Sequence, residues 1–110
     1  MKGEFLTLES AEALHREKEI IEHYGLNHQQ RKLQEEVFEL QEAITRYDKV
    51  ADDVSYAREL IYLRNCIIEE LADVHLVLNQ IQEYFKIQDE EVLNDYTFKL
   101  DRTLKRIGDE

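Results

Sequence analysis

Two stretches decide the fold: Arg31-Lys32-Leu33-Gln34-Glu35-Glu36-Val37-Phe38-Glu39-Leu40-Gln41-Glu42-Ala43-Ile44, and Glu69-Glu70-Leu71-Ala72-Asp73-Val74. Neither contains proline or glycine, and in both the apolar residues return every three or four positions, the period of one helix face. Leu33, Val37, Leu40, Ile44 and Tyr47 make the stripe of one helix; Leu60, Leu63, Ile67, Leu71, Val74, Leu78, Ile81 and Phe85 make that of the next. Each helix also carries an acidic pair at i, i+3: Glu36 with Glu39, and Glu70 with Asp73. At ~100° per residue, the members of each pair sit ~60° and ~120° from the centre of their own stripe, in the same sense on both helices. Equal offsets of one sense fall on one side of a helix pair only when the helices run antiparallel. The spacing therefore predicts a hairpin that gathers four carboxylates at one edge of a shared core.

Four converging carboxylates repel one another and supply the hard oxygen ligands that Mg²⁺ prefers, with Mn²⁺ as a substitute. An ExxE pair alone is common on solvated helices, and Glu19 with Glu22 is another in this chain. What distinguishes the quartet is the coincidence of two pairs, on two helices, with matching offsets.

Outward from these stretches the chain remains helical in character. Its 110 residues contain no proline and only three glycines, Gly3, Gly25 and Gly108. That length suits one domain spanning residues 1–110, with one core. Ser10 is placed to cap a first helix over about 10–24 that ends at Gly25, and Asn27 to open a second running to about Asp48. Lys49 to Ser55 make the connection, and Ser55 caps a third helix to about Lys86. Asp89 caps a fourth, with Leu93, Tyr96, Leu100, Leu104 and Ile107 facing inward. The expected fold is all-α: a four-helix bundle with two long central antiparallel helices, completed by oligomerisation. Phe38, Val77, Ile61 and Ile68 fall outside the narrow stripes and mark the partner surface, most simply that of a homodimer or homotetramer.

Charge narrows the function. Asp and Glu number 25 against 14 Lys and Arg, a formal charge of −11, which repels nucleic-acid polymers and anionic membranes. No apolar run approaches a membrane span and the N-terminus has no signal-peptide segment, so a cytoplasmic location is expected. The lone Cys66 agrees with a reducing compartment. A small polyphosphate bridged to the carboxylates by cations remains a suitable ligand.

The same two stretches resemble the all-α nucleoside triphosphate pyrophosphohydrolases of the MazG type, whose signature is EExxEL followed by EExxD on consecutive core helices. The resemblance covers about residues 20–107 and takes in the turn Tyr24-Gly25-Leu26 and the basic last helix. It implies a Mg²⁺-dependent hydrolase that cuts a nucleoside triphosphate between the α and β phosphates, leaving a monophosphate and pyrophosphate, a house-cleaning activity on the nucleotide pool. The family's metal ligands map onto Glu36, Glu39, Glu70 and Asp73. The interval between Glu39 and Glu70 is long for the group, which bears on the nucleotide pocket more than on the metal ligands.

Other residues are assigned by position. Glu35 and Glu69, each just before a ligand, are candidate catalytic groups that orient neighbours or accept a proton from water; solvated helix glutamate is the competing reading. Lys99, Arg102 and Arg106 leave the last helix in the same rotational sense as the carboxylates and are candidates to bind the phosphates; solvated cations favoured by the dipole near a helix C-terminus are the competing reading. Phe38, Tyr47, Tyr56 and Tyr62 are candidates to stack a base. Glu12 and His15 form one ExxH without the second that a di-iron bundle needs, and His23, His28 and His75 lack zinc spacing. The alternative to an enzyme is a non-catalytic helical interaction module built on the same bundle.

Overall fold

The computed structural model describes residues 11–110. Ser10 and its proposed cap lie outside that range. The chain is all-helical over the described residues: α1 (Ala11–Val50), a single 3₁₀ turn (Val54–Tyr56), α2 (Ala57–Tyr84) and α3 (Asp89–Gly108). α1 comprises the first two helices read from the sequence, joined across a kink at Gly25, whose φ of 83° and ψ of 165° are not helical. That combination is open essentially to glycine alone, so Gly25 ends the first helical run, as the sequence reading expects, and the second follows across a kink.

The turn between α1 and α2 is closed by Asp53, not by a serine cap. Its Oδ1 accepts the Ser55 backbone N–H at 2.9 Å and the Ser55 hydroxyl at 2.7 Å, an Asx turn that leaves Tyr56 at the helix entrance. These bonds hold the Asp53 carboxyl below its usual pKa. At the far end of α2, Lys86 takes a left-handed φ of 56°, and the Ile87 N–H returns to the Gln82 carbonyl at 3.1 Å. Asp89 is inside α3 rather than capping it. Gln88 precedes the helix and donates its backbone N–H to the Glu91 carboxylate at 2.8 Å, while Asp89 accepts from the Gln82 amide at 2.7 Å.

α1 and α2 pack as an antiparallel hairpin: Gln29 of α1 meets Gln80, and further along α1 Glu36 lies beside Asp73. The seam is rotated from the expected stripe. Before the kink the buried side chains of α1 are Glu17 and Ile21; after it they are Gln29, Glu36 and Ala43, with Leu33, Leu40 and Tyr47 half-buried between them, and on α2 they are Val74, Val77 and Gln80. Spacings of three and four generate both lines. Val77, expected on a partner surface, is instead core at 3% exposure, whereas Val37 and Ile44 of the expected core are 37% and 48% exposed. The apolar surface of each helix is wider than one neighbour can cover.

α3 is formed but not packed as a fourth bundle member. It buries none of its residues, and Leu93, Tyr96, Leu100, Leu104 and Ile107, expected to face inward, are all exposed. The apolar side chains that are fully buried among the described residues are Ile21, Ala43, Val74 and Val77. A radius of gyration of 17.0 Å compares with about 13 Å for a compact chain of this length. No helix of the described residues is long and apolar enough to cross a membrane.

Candidate metal centre

The carboxylates gather beside the α1–α2 seam, grading from buried Glu36 through half-buried Glu70 to Glu39 at the surface. One oxygen from each of Glu36, Glu70 and Asp73 lies within 4.8 Å of the other two. Glu36 is only 6% exposed. Burial, a hydrogen bond to the Glu39 carboxyl and the charge of Asp73 outweigh the nearby Lys32 ammonium and push its pKa up to about 7. Burial, with the charges of Glu39 and Asp73, also raises that of Glu70. The Glu70 Oε1 is buried with no hydrogen-bond partner, and such an oxygen has lost its water without replacement.

These observations test the fit of a cation. An orphaned acceptor, a buried carboxyl that holds its proton near neutrality, and three converging oxygens are what a divalent-ion site shows when its charges are not compensated. The group could hold a metal ion through its carboxylate oxygens. Glu36, Glu70 and Asp73 are placed to bind directly; Glu39, the fourth member read from the sequence, is exposed and bonds to Glu36.

The other candidates divide. Glu35 lines the cavity that opens beside the carboxylates, with Lys32 Nζ 4.0 Å from its Oε1. Glu69 is exposed, does not line that cavity, and acts on the cluster through its charge on Glu70. Lys99, Arg102 and Arg106 are not brought to the carboxylates within one chain, because α3 is not packed on the hairpin; Arg102 instead lies over the Phe98 ring at 5.9 Å. Arg31 and Lys32 supply the positive charge at the cavity wall. Sequence reasoning passed over Lys32 although it stands one turn before Glu36, on the same face.

Phe38, Tyr47, Tyr56 and Tyr62, the candidates to stack a base, do not line this cavity, whereas Tyr24 and His28 do. Phe38 points away at 60% exposure, and Tyr62 is bonded to Cys66. In comparisons with known proteins the chain matches no family model, no curated protein and no solved structure.

Proposed function

We propose that the protein is a Mg²⁺-dependent nucleoside triphosphate pyrophosphohydrolase of the MazG type, releasing pyrophosphate and a nucleoside monophosphate. The single observation carrying this reading is the convergence of Glu36, Glu70 and Asp73 in the seam, with a buried, unpartnered Glu70 oxygen. Structural salt bridges do not account for it, since the group contains no cation of its own. The order of the acidic motifs along α1 and α2 supplies the rest.

A divalent ion held by these residues would supply Lewis acidity toward phosphoryl oxygens and toward water. The chain's residues do the remaining work. Glu36, Glu70 and Asp73 would hold the ion, and Glu39, hydrogen-bonded to Glu36, would position it. Glu35, at the cavity wall, is the group placed to take a proton from water. Arg31 and Lys32 neutralise the phosphate chain as it enters an otherwise acidic site.

The open shape belongs to the same proposal. Val37, Phe38, Ile44, Ile61 and Ile68 on the hairpin and the whole apolar stripe of α3 are exposed, more than an isolated small domain leaves in water. Two or four copies cover these faces and complete the bundle. The test is a screen of ribo- and deoxyribonucleoside triphosphates with Mg²⁺, detecting monophosphate and pyrophosphate separately. Orthophosphate with a diphosphate product overturns the assigned bond, and no turnover of any triphosphate leaves the helical interaction module as the reading of the exposed apolar faces.

A further inference from the structure

The kink at Gly25 also shapes the wall of the cavity. Across it, with His23 edge-to-face with Tyr24 at 4.6 Å, Tyr24 and His28 form a stacked pair with ring centroids 4.5 Å apart and planes 20° from parallel. Both rings line a cavity of about 660 Å³ that continues to Glu36, Glu39 and Asp73, a volume in the range of small-ligand sites. Deeper in the same cavity two polar side chains are buried among apolar ones: Gln29 at 4% and Gln80 at 2% exposure, beside Val77. They are joined to each other and to His28 in one directed chain. The amide oxygen of Gln29 can only accept, so His28 Nδ1 is the donor in their 2.7 Å contact; Gln29 Nε2 then donates to Gln80 Oε1. The next donor in line is the Gln80 amide nitrogen.

A buried amide pair is an expensive way to hold two helices together, since an apolar pair of the same volume does it without desolvating four polar groups. It becomes useful where a ligand brings hydrogen-bonding groups of its own. A primary amide offers a donor and an acceptor side by side, the pattern that pairs with the edge of a nucleobase, and a stacked aromatic pair offers a flat face to its ring. The register also agrees. Gln29 lies two helical turns from Glu36 and Gln80 two turns from Asp73, on the same faces, so the amides and the carboxylates occupy two ends of one groove with Arg31 and Lys32 between them.

We propose that this cavity is the nucleobase pocket: the Gln80 amide, oriented by Gln29 and His28, reads the polar edge of the base, and Tyr24 stacks on its face. The assignment rests on the nucleotide reading of the site and adds to it the residues that set base preference. The Gln80 nitrogen, at the end of a chain of donors, favours a base that presents a carbonyl oxygen or an unprotonated ring nitrogen at that point.

The test is calorimetric binding of the four ribonucleoside 5′-monophosphates and of ribose 5-phosphate, with and without Mg²⁺, to the wild type and to Tyr24→Ala, Gln80→Leu and Gln80→Glu. At least one monophosphate should bind about tenfold or more tightly than ribose 5-phosphate, in line with base stacking. Gln80→Glu keeps the shape and replaces the donor by an acceptor, so it should reorder the four bases while leaving ribose 5-phosphate within about twofold, a selectivity change typical of edge readout. Tyr24→Ala should weaken all four without reordering them. Monophosphates that bind no better than ribose 5-phosphate overturn the proposal, as does a base order unchanged in both Gln80 variants, which makes the amide pair a structural tie. Should a Gln80 variant fail to fold, the wild-type comparison with ribose 5-phosphate still decides whether a base is bound. Base-selective binding in the absence of Mg²⁺ alongside absent hydrolysis would refute the metal-centre reading and keep the pocket; base-indifferent binding with intact hydrolysis would do the reverse.

Discussion

Replacing Glu36 by glutamine separates what this carboxyl costs the fold from what it gives the site. The folded pKa of about 7 against an ordinary 4.5 means that, between those values, the folded chain holds a proton the unfolded chain has released. Stability therefore falls as pH rises through that window: the cost is absent below about 4.5 and complete above about 7. At 1.36 kcal/mol per pH unit the full cost is about 3 kcal/mol. Urea unfolding without divalent ions should show the wild type losing up to that amount between pH 5 and pH 8. Glu36→Gln should lose much less, and be the more stable protein at pH 8 by about 1–3 kcal/mol. With Mg²⁺ in millimolar excess the order should reverse, because the wild type gains binding energy that the amide cannot supply. A wild type whose stability does not depend on pH in this range, or a Glu36→Gln variant less stable at pH 8 without metal, refutes the reasoning: Glu36 would then be an ordinary solvated carboxylate.

Gly25→Ala should cost about 1–3 kcal/mol from its backbone conformation alone, since an added Cβ meets nothing within 4 Å; a melting temperature unchanged by the substitution would mean that the bend is not held. Wild-type melting temperature should rise with Mg²⁺ or Mn²⁺ concentration and the rise should vanish in Asp73→Asn, as checked by scanning calorimetry. Sedimentation at micromolar concentration should show an oligomer of the 13.2 kDa chain, and Leu100→Glu on α3 should dissociate it or shift it to a smaller species; a wild-type monomer would remove the proposed assembly.

Much of the fold was legible because helices announce themselves by period and by breakers. Glycine at 25, the polar run after Val50 and the acidic residues at 89–91 place the ends of the elements within a few residues. The local capping chemistry was not legible, since Asp53 and Ser55, or Gln88 and Asp89, are equally good caps on paper and the choice depends on the path of the turn. The rotation of the hairpin seam escaped for a different reason. Hydrophobicity alone centres the α1 stripe on Val37 and Leu40, yet the face that α2 covers includes Gln29 and Glu36, because the broad apolar surface has a second side left open. Periodicity reports how much of a helix is apolar, not which part meets its own chain and which meets another.

The site was legible to the extent that its chemistry is written in one local motif per helix. Glu36, Glu70 and Asp73 converge as the i, i+3 spacing requires, and Glu39 joins them through Glu36. Lys99, Arg102 and Arg106 were read from the assumption that α3 closes the bundle within one chain, an assumption about tertiary packing that rotational sense cannot test. Gln29 and Gln80 left only a faint signal. Each stands seven residues from a clustered carboxylate on the same face, but a glutamine on a charged helix has no distinguishing chemistry until burial is known.

Pyrophosphate release from nucleoside triphosphates at saturating Mg²⁺, by the wild type and by Glu39→Gln, Asp73→Asn and their double variant, tests the central claim most directly. Both substitutions keep size and helical context. Each should lower the rate by a factor of about 10²–10³, with the double variant little worse than either single one, because the residues serve one cluster. Glu19→Gln, a glutamate outside the cluster, should stay within a few-fold of wild type, and all four variants should remain folded. Near-normal pyrophosphate release by Asp73→Asn and Glu39→Gln would show that these carboxylates are surface charge and contradict the account.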